Sequence, residues 1–296
     1  MIGVTSVVTF AWARPWGVLG GIREWFDRLF YYLGIYSSHP EHNPVLSSSS
    51  VLTFGLLWGV FASALLSRQF AVKIPPPFEV VKAAIGGTLM GLGAALAWGC
   101  NVGGFFSATS ALSLSGLMMM LGLIIGVFLE VRYIYWELTH IRFKRGEGRL
   151  LQIRLASIEL KQVQPLAGAL AAIAALIAAF LYFNQGTDAS TGYDFARTGG
   201  LLLSGLVFGV ILHRSRFAFL QAFREPFTSG SAAQFRGMAI AVIVSVIGFA
   251  ALKAGGLRPE GDYVAPKFWA GSFIGGILFG FGMPFAGGRP KAASSW

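Results

Sequence analysis

The residues best suited to chemistry lie together in the segment GCNVGG at positions 99–104, which contains the one cysteine of the sequence. A thiol is a weak and polarizable donor, so Cys100 can hold a soft atom without trapping it. Asn101 is either a helix cap or a second donor, and Cys100 is otherwise a small buried hydrophobic residue. Backbone amides of the segment can donate to oxygen atoms. The three glycines of the segment, Gly99, Gly103 and Gly104, are expected to break a helix there, and a broken helix points its dipole ends at an ion.

The composition indicates a membrane protein. Hydrophobic residues make up 55% of the 296 residues and charged residues 12%, whereas a soluble domain carries about 25% charged residues. The net charge of +10 does not indicate a nucleic-acid partner, because the basic residues lie between long apolar runs. One cysteine excludes a disulfide framework. Since no catalytic constellation, metal-ligand spacing or Walker-type loop is present, we expect no enzymatic activity, metal or cofactor.

Seven apolar runs are about long enough to cross a hydrocarbon core of roughly 30 Å at 1.5 Å per helical residue. Only helices satisfy their own backbone hydrogen bonds in lipid, so the predicted fold is an all-α polytopic integral membrane protein. Short re-entrant helices are expected where glycine interrupts a run, and an interfacial or re-entrant segment at residues 1–50. The predicted spans are 51–66, 80–98, 112–136, 165–183, 198–212, 237–252 and 268–285.

Basic residues are distributed unequally between the loops. One set of alternate loops carries 13 lysine and arginine residues and the other set carries three. The excess places the first set in the cytoplasm. Arg214 and Arg216 either belong to this ordinary asymmetry or form an anion-attracting vestibule. The basic loops are 68–82, 137–164 and 213–236, and the others are 37–50, 101–113, 184–195 and 253–268.

Residues 85–100 and 274–289 form an internal repeat at a constant offset of 189, with eight of sixteen positions identical. A weaker echo relates GLLWGV at 55–60 to GLVFGV at 205–210. Because the charge distribution makes the first copy run outward and the second inward, we predict inverted repeats with a substrate path at their interface. The predicted organisation is a first half at 51–136, a basic cytoplasmic linker at 137–164 and a second half at 165–296.

Some glycines and charges of the spans have two interpretations. Gly87/Gly91 and Gly276/Gly280 have the small-xxx-small spacing of close helix packing, which explains them without a transport role. Glu130 and Arg132 either face protein or water within the third run or snorkel to the inner interface. Arg224 and Glu225 are expected to pair with each other.

Three motifs in combination resemble the YeeE/YedE sulphur-transport family, and the resemblance covers about residues 50–288. It is closest to the YedE branch, which is associated with selenium metabolism. It implies a permease for thiosulfate or a related sulphur anion, which cysteines pass along an hourglass-shaped path. Cys100 matches the cysteine of the family's AxGCxxG motif. The motifs are GGTLMGLGAALAWGCNVGGFFSATSALSLSG, GLVFGVILHRSRFAFLQAFRE and GGILFGFGMPFAGG.

Two further cysteine positions of the family hold other residues. Ala218 stands where the RSRFCF-type motif has cysteine, and Arg289, after Gly288, stands where the AGGC motif has it. Because the family continues with further helices, the second half is expected to be truncated. Two alternatives to a permease stay open: an accessory protein that hands sulphur or selenium to a soluble thiol carrier, and an inactive truncated member. The expected partners are membrane lipid, a small sulphur or selenium anion and a small cytoplasmic sulphurtransferase-like thiol protein.

Overall fold

The structure is a computed structural model that describes residues 1–37, 43–71, 73–74, 77–140, 149–150, 160–186, 194–264 and 269–286. Within these ranges, seven helices are long and apolar enough to cross a membrane. Each of them contains or overlaps one of the seven predicted spans. The prediction of an all-α polytopic membrane protein is therefore confirmed.

The helices and strands are named here in chain order. Between Cys100 and α5, residues Asn101–Ser107 form a π-helix. The two short strands pair antiparallel, with Lys73 opposite Leu150. The elements are α1 (Ile2–Trp12), α2 (Leu19–Tyr32), α3 (Ser48–Leu66), β1 (Lys73–Ile74), α4 (Pro77–Leu96), α5 (Ala108–Ser110), α6 (Leu114–His140), β2 (Arg149–Leu150), α7 (Leu160–Gln185), α8 (Phe195–Ser215), α9 (Phe219–Thr228), α10 (Ala233–Ala254) and α11 (Trp269–Ala286).

In the first of two compact units, glycines bring α3 and α8 into close contact. A Cβ atom added to Gly55 would lie 2.6 Å from the carbonyl oxygen of Leu202, and one added to Gly209 would lie 2.7 Å from the amide nitrogen of Val60. The contacts advance in the same direction along both helices, so α3 and α8 run parallel. This agrees with the charge distribution, because both helices end before a basic loop. The unit draws on Met1–Phe70, Ile153–Phe217 and Ile243–Glu260.

The other helices of this unit pack around that pair. Val51 of α3, Ala179 of α7 and Leu202 of α8 form one buried apolar cluster. The indole N–H of Trp58 donates to the carbonyl of Ala171 at 2.8 Å, which ties α3 to α7. At the end of α1, the guanidinium of Arg197 donates to the carbonyl of Ala13 at 2.8 Å, so a cation satisfies a carbonyl left unpaired beyond the helix.

In the second compact unit, α6 and α11 also run parallel and meet through glycines. A Cβ atom on Gly276 would lie 2.6 Å from the carbonyl oxygen of Met119, and one on Gly280 would lie 2.8 Å from that of Leu123. Both units combine segments from either side of the basic loop 137–164, so they cut across the two predicted halves of the sequence. The second unit draws on Ala71–Gln152, Ala218–Val242 and Gly261–Trp296.

The two copies of the sequence repeat, which lie in α4 and α11, pack against each other reciprocally. A Cβ atom on Gly86 would lie 2.7 Å from the carbonyl oxygen of Gly282, and one on Gly282 would lie 2.7 Å from that of Gly86. Gly93 and Gly275 meet in the same way, at 2.6 and 2.5 Å. The partners advance in opposite directions, so α4 and α11 are antiparallel. The offset of 189 relates Gly86 to Gly275 and Gly93 to Gly282, so each contact joins non-equivalent positions of the two copies.

The four glycines at small-xxx-small spacing behave differently in the two copies. Gly276 and Gly280 pack against α6, as the packing interpretation requires. A Cβ atom on Gly87 or Gly91 would meet nothing within 4 Å in the described part of the chain. Among the described residues, the packing interpretation therefore holds for Gly276 and Gly280 and fails for Gly87 and Gly91.

Candidate functional site

The helix break at the candidate site is short and is followed at once by a different kind of helix. α4 ends at Leu96, Trp98 takes a left-handed φ of 55°, and Cys100 is extended with φ −80° and ψ −179°. The π-helix then begins at Asn101 and runs for seven residues. A π-helix is rare in proteins overall, and where one occurs it often lies at a functional site. The predicted interruption is present, but it is confined to the residues between Leu96 and Asn101.

Cys100, rather than Asn101, caps this π-helix. Cys100 occupies the N-cap position, and its carbonyl accepts a hydrogen bond from the N–H of Gly104 at 2.7 Å. Its side chain makes no capping hydrogen bond in the described part of the chain. Cys100, Asn101 and Gly103 are all half-buried. The thiol and the amide therefore lie at the start of the helix without being fully enclosed by protein.

Gly99 and Gly104 are required by the close approach of two backbone segments. A Cβ atom on Gly99 would lie 2.6 Å from the Cα of Gly104, and one on Gly104 would lie 2.6 Å from the Sδ of Met119. Met119 is fully buried in α6, so it has little space to move away. These two glycines fold the turn tightly onto the π-helix and thereby fix the position of Cys100.

Ala218, the second position at which the family resemblance implies a cysteine, starts another short helix. It is the N-cap residue of α9 and is extended, with φ −131° and ψ 124°. The ring centroids of Phe105 and Phe223 are 5.4 Å apart, and those of Phe106 and Phe219 are 6.1 Å apart, both edge-on. Edge-on aromatic pairs are favourable. Cys100 and Ala218 therefore begin two short helices that pack against each other.

Gln234 of α10 holds the first turns of α9 through three hydrogen bonds. Its side-chain oxygen accepts the backbone N–H of Ala218 at 3.3 Å. Its amide nitrogen donates to Gln221 at 2.8 Å and to Glu225 at 3.2 Å. Because the N–H groups of a first helical turn have no intrahelical acceptor, this glutamine satisfies one of them. A lone Gln near a helix start gives no sequence signal of such a role.

The expected pairing of Arg224 with Glu225 is wrong. Arg224 lies 3.7 Å from the carboxylate of Glu130, measured from Nη2 to Oε1. Glu130 is fully buried, so it does not snorkel to the interface, while Arg132 on the same helix is exposed. The partners are 94 positions apart in the sequence, a separation that no local spacing can reveal.

The remaining predicted positions are found as follows. Arg214 lies in the last turn of α8 and Arg216 follows it as the C-cap residue with a left-handed φ of 51°. Both side chains are exposed. Gly288 and Arg289 lie outside the described residues. Among the described residues, no three His, Cys, Asp or Glu side chains form a group that could hold a metal ion.

Comparison with known proteins decides the family. The sequence profile described as "Sulphur transport" matches residues 1–129 and 214–291. The chain belongs to the sulphur transport family. It is 27% identical over 283 residues to the probable transporter YedE of Escherichia coli (strain K12) and 29% identical over 286 residues to that of Salmonella typhimurium (strain LT2); each alignment covers 92% of this chain and 67% of the relative.

A shorter similarity reaches proteins with a named substrate. The chain is 30% identical over 104 residues to the thiosulfate transporter TsuA of Spirochaeta thermophila, which covers 35% of this chain and 29% of the relative. No solved structure matches the chain. The YeeE/YedE assignment is thus confirmed, and the relatives are named as transporters. Together with the seven membrane-length helices, they identify a multi-pass protein of the bacterial inner membrane.

Proposed function

We propose that the protein is a permease for a small sulphur oxyanion such as thiosulfate, and that the anion passes Cys100. The observation that carries the proposal is the equivalent placement of Cys100 and Ala218, each at the N-cap of a short helix, with the two helices packed on each other. The family relation supports transport, and the name of TsuA supports the substrate class.

The chemistry of the residues suits such an anion. The thiol of Cys100 is a weak donor to a soft sulphur atom, and the amide of Asn101 is a stronger donor to an oxygen. The start of α9 carries the positive end of its helix dipole, which favours a negative charge near Ala218. Favourable but weak binding at successive points is what conduction requires. In this proposal Gly99, Gly103 and Gly104 shape the path, and Gly288 and Arg289 are assigned to it on the family resemblance alone.

We also propose that the path is formed by inverted repeats. The reciprocal antiparallel contacts of Gly86 with Gly282 and of Gly93 with Gly275 support this, because a two-fold axis across the pair exchanges the two copies. The exposed Arg214 and Arg216 serve in this proposal as an anion-attracting vestibule on the cytoplasmic side, where an excess of positive charge concentrates anions.

A second candidate function is favoured by one observation. Residue 218 is alanine where the family resemblance implies a cysteine, so this chain offers fewer sulphur contacts along a path. An accessory protein that hands sulphur or selenium to a small cytoplasmic sulphurtransferase-like thiol protein needs one reactive thiol rather than a series. In that case Cys100 would act as the donor to the carrier.

The deciding experiment is uptake of labelled thiosulfate by cells that lack other sulphur permeases. Cys100→Ala is expected to reduce the initial rate at least about fivefold, since about 1 kcal/mol of lost interaction corresponds to that factor. Membrane expression should stay unchanged. Ala218→Cys is the matched gain-of-function variant and is expected to raise the rate. Equal rates for Cys100→Ala and the wild type would remove Cys100 from the path, and transfer of the label to a thiol carrier without uptake would favour the hand-over function.

A further inference from the structure

Glu130 is a buried carboxylate whose capacity for hydrogen bonds is unmet. Its side chain is 0% exposed in the second half of α6, and its Oε1 lies 3.7 Å from Nη2 of Arg224, which is 11% exposed. In the described part of the chain, neither oxygen of Glu130 nor the Nε of Arg224 has a hydrogen-bond partner. Well-formed buried ion pairs are shorter, and hydrogen bonds satisfy their remaining polar atoms. The carboxylate therefore keeps room for one more group.

A second acidic residue on the same helix shows the contrast. Glu137, two helical turns beyond Glu130, accepts a direct hydrogen bond from the ammonium of Lys82. Its side chain is also almost buried, at 6% exposed. The Lys82–Glu137 pair has the geometry of a structural salt bridge, whereas the Glu130–Arg224 pair does not. The two glutamates thus form a matched set within one helix.

The chemistry around Glu130 selects a proton as the additional group. A metal cation bound in the membrane needs several oxygen ligands, and the guanidinium of Arg224 beside the carboxylate repels it. The neighbouring contact between α6 and α9 is aromatic, with the rings of Phe128 and Phe227 5.8 Å apart. A proton needs a single oxygen atom and removes the buried charge of the carboxylate.

The other charged groups near Glu130 are already engaged or exposed. On α9, Glu225 accepts a hydrogen bond from Gln234, and on α4 Lys82 is bonded to Glu137. Arg132 on α6 is exposed. The π-helix, α5 and the described residues of α11, which also pack against α6, contain no charged residue. Arg224 is thus the counter-charge of Glu130 within this unit's described residues.

Import of a dianion such as thiosulfate also demands a coupled cation. Two negative charges that move into a cell with a negative interior are opposed by the membrane potential. Each proton that enters with the anion offsets one of these charges. An ionisable residue within a span that faces protein is the ordinary carrier of such a proton.

We propose that Glu130 carries the proton that drives uptake, and that its protonation releases Arg224 to pair with the entering anion. This inference rests on the proposed function. A proton from the external side binds the carboxylate, which becomes a neutral carboxylic acid, while Arg224 keeps its charge and exchanges the carboxylate for the anion. Release of the anion and the proton to the cytoplasm re-forms the Glu130–Arg224 pair.

The test is uptake of labelled thiosulfate by proteoliposomes that contain the purified full chain, with the membrane potential clamped at zero. An outside-acid gradient of one pH unit is expected to raise accumulation by the wild type about tenfold for each proton carried. Glu130→Gln should abolish this response, with less than about a twofold effect of the gradient. Glu137→Gln is the matched control and should keep the tenfold response. A Glu130→Gln variant that keeps the full response would overturn the inference.

Two further measurements separate the possible failures. Acidification of the vesicle interior on addition of thiosulfate tests proton entry in the wild type directly. Counterflow of labelled thiosulfate without any gradient tests the permease function alone. If the wild type shows counterflow but its uptake does not respond to the pH gradient, or responds to a sodium gradient instead, proton carriage by Glu130 is refuted. Absence of counterflow refutes both proposals.

Discussion

The reciprocal glycine contacts between α4 and α11 allow a sharp test on a single helix. Gly93 and Gly91 lie two positions apart on α4, and both change to alanine by the addition of one methyl group. At Gly93 the new Cβ atom would lie 2.6 Å from the carbonyl oxygen of Gly275 and from the amide nitrogen of Phe279. At Gly91 it would meet nothing within 4 Å in the described part of the chain.

The size of the effect follows from these distances. An ordinary contact begins near 3.4 Å, so Gly93→Ala must move the helices apart by about 0.8 Å, because both obstructing atoms are backbone. A gap of roughly 0.5–1 Å loses a quarter to a half of each dispersion contact, and overpacking of this kind costs about 1–3 kcal/mol. Gly91→Ala has no such cost and adds helix propensity worth about 1 kcal/mol.

Thermal unfolding of the detergent-solubilised protein measures the difference. A change of about 1 kcal/mol shifts the melting temperature by roughly 2–4 °C for a chain of this order of size. Gly93→Ala should therefore melt several degrees below the wild type, and Gly91→Ala at or above it. Equal melting temperatures for the two variants would show that α4 and α11 do not meet as described, and the argument for reciprocal packing of the repeats would be lost with it.

Two other substitutions test the ends of the short helices. Arg216→Gly should raise the melting temperature, because glycine adopts the left-handed conformation of this residue (φ 51°) about 1 kcal/mol more easily than arginine does. The same variant should show slower uptake at low ionic strength if Arg216 belongs to an anion-attracting vestibule. Unchanged uptake would contradict that role. Gln234→Leu removes the acceptor of the Ala218 N–H at a cost of about 1–3 kcal/mol. It should speed modification of Cys100 by a maleimide, because α9 packs on the π-helix; an unaltered rate would count against the restraint.

The spans and the helix break were predictable because their signals are local. Apolar runs of 15 to 25 residues can satisfy their backbone only as helices, and the positions of the seven spans follow from that. The helix break at Gly99 and Cys100 is likewise visible in the glycine content of a short segment. The repeat offset of 189 makes Gly86 and Gly275 equivalent positions of the repeat, but it does not predict that Gly86 contacts Gly282.

The charged contacts were not predictable, because they depend on which helices become neighbours. Arg224 has an acidic residue next to it in the sequence, yet it faces Glu130 on another helix, and the adjacent Glu225 accepts from Gln234. Spacing alone likewise gave Gly87 and Gly91 the same packing role as Gly276 and Gly280. Only the tertiary arrangement shows that Gly276 and Gly280 are buried against α6, whereas no other described residue covers Gly87 or Gly91.

The mixed origin of the two compact units has a consequence for biosynthesis. α3 and α4 emerge from the ribosome long before α8 and α11, the helices against which they pack in the folded protein. During translation α3 and α4 are therefore inserted in the bilayer as separate helices. Lipid acyl chains contact their glycine-lined faces until α8 and α11 have been synthesised. For the same reason, a polypeptide severed between α6 and α7 holds one member of each glycine-mediated pair in each fragment. Co-expressed fragments are accordingly expected to reassemble into one particle.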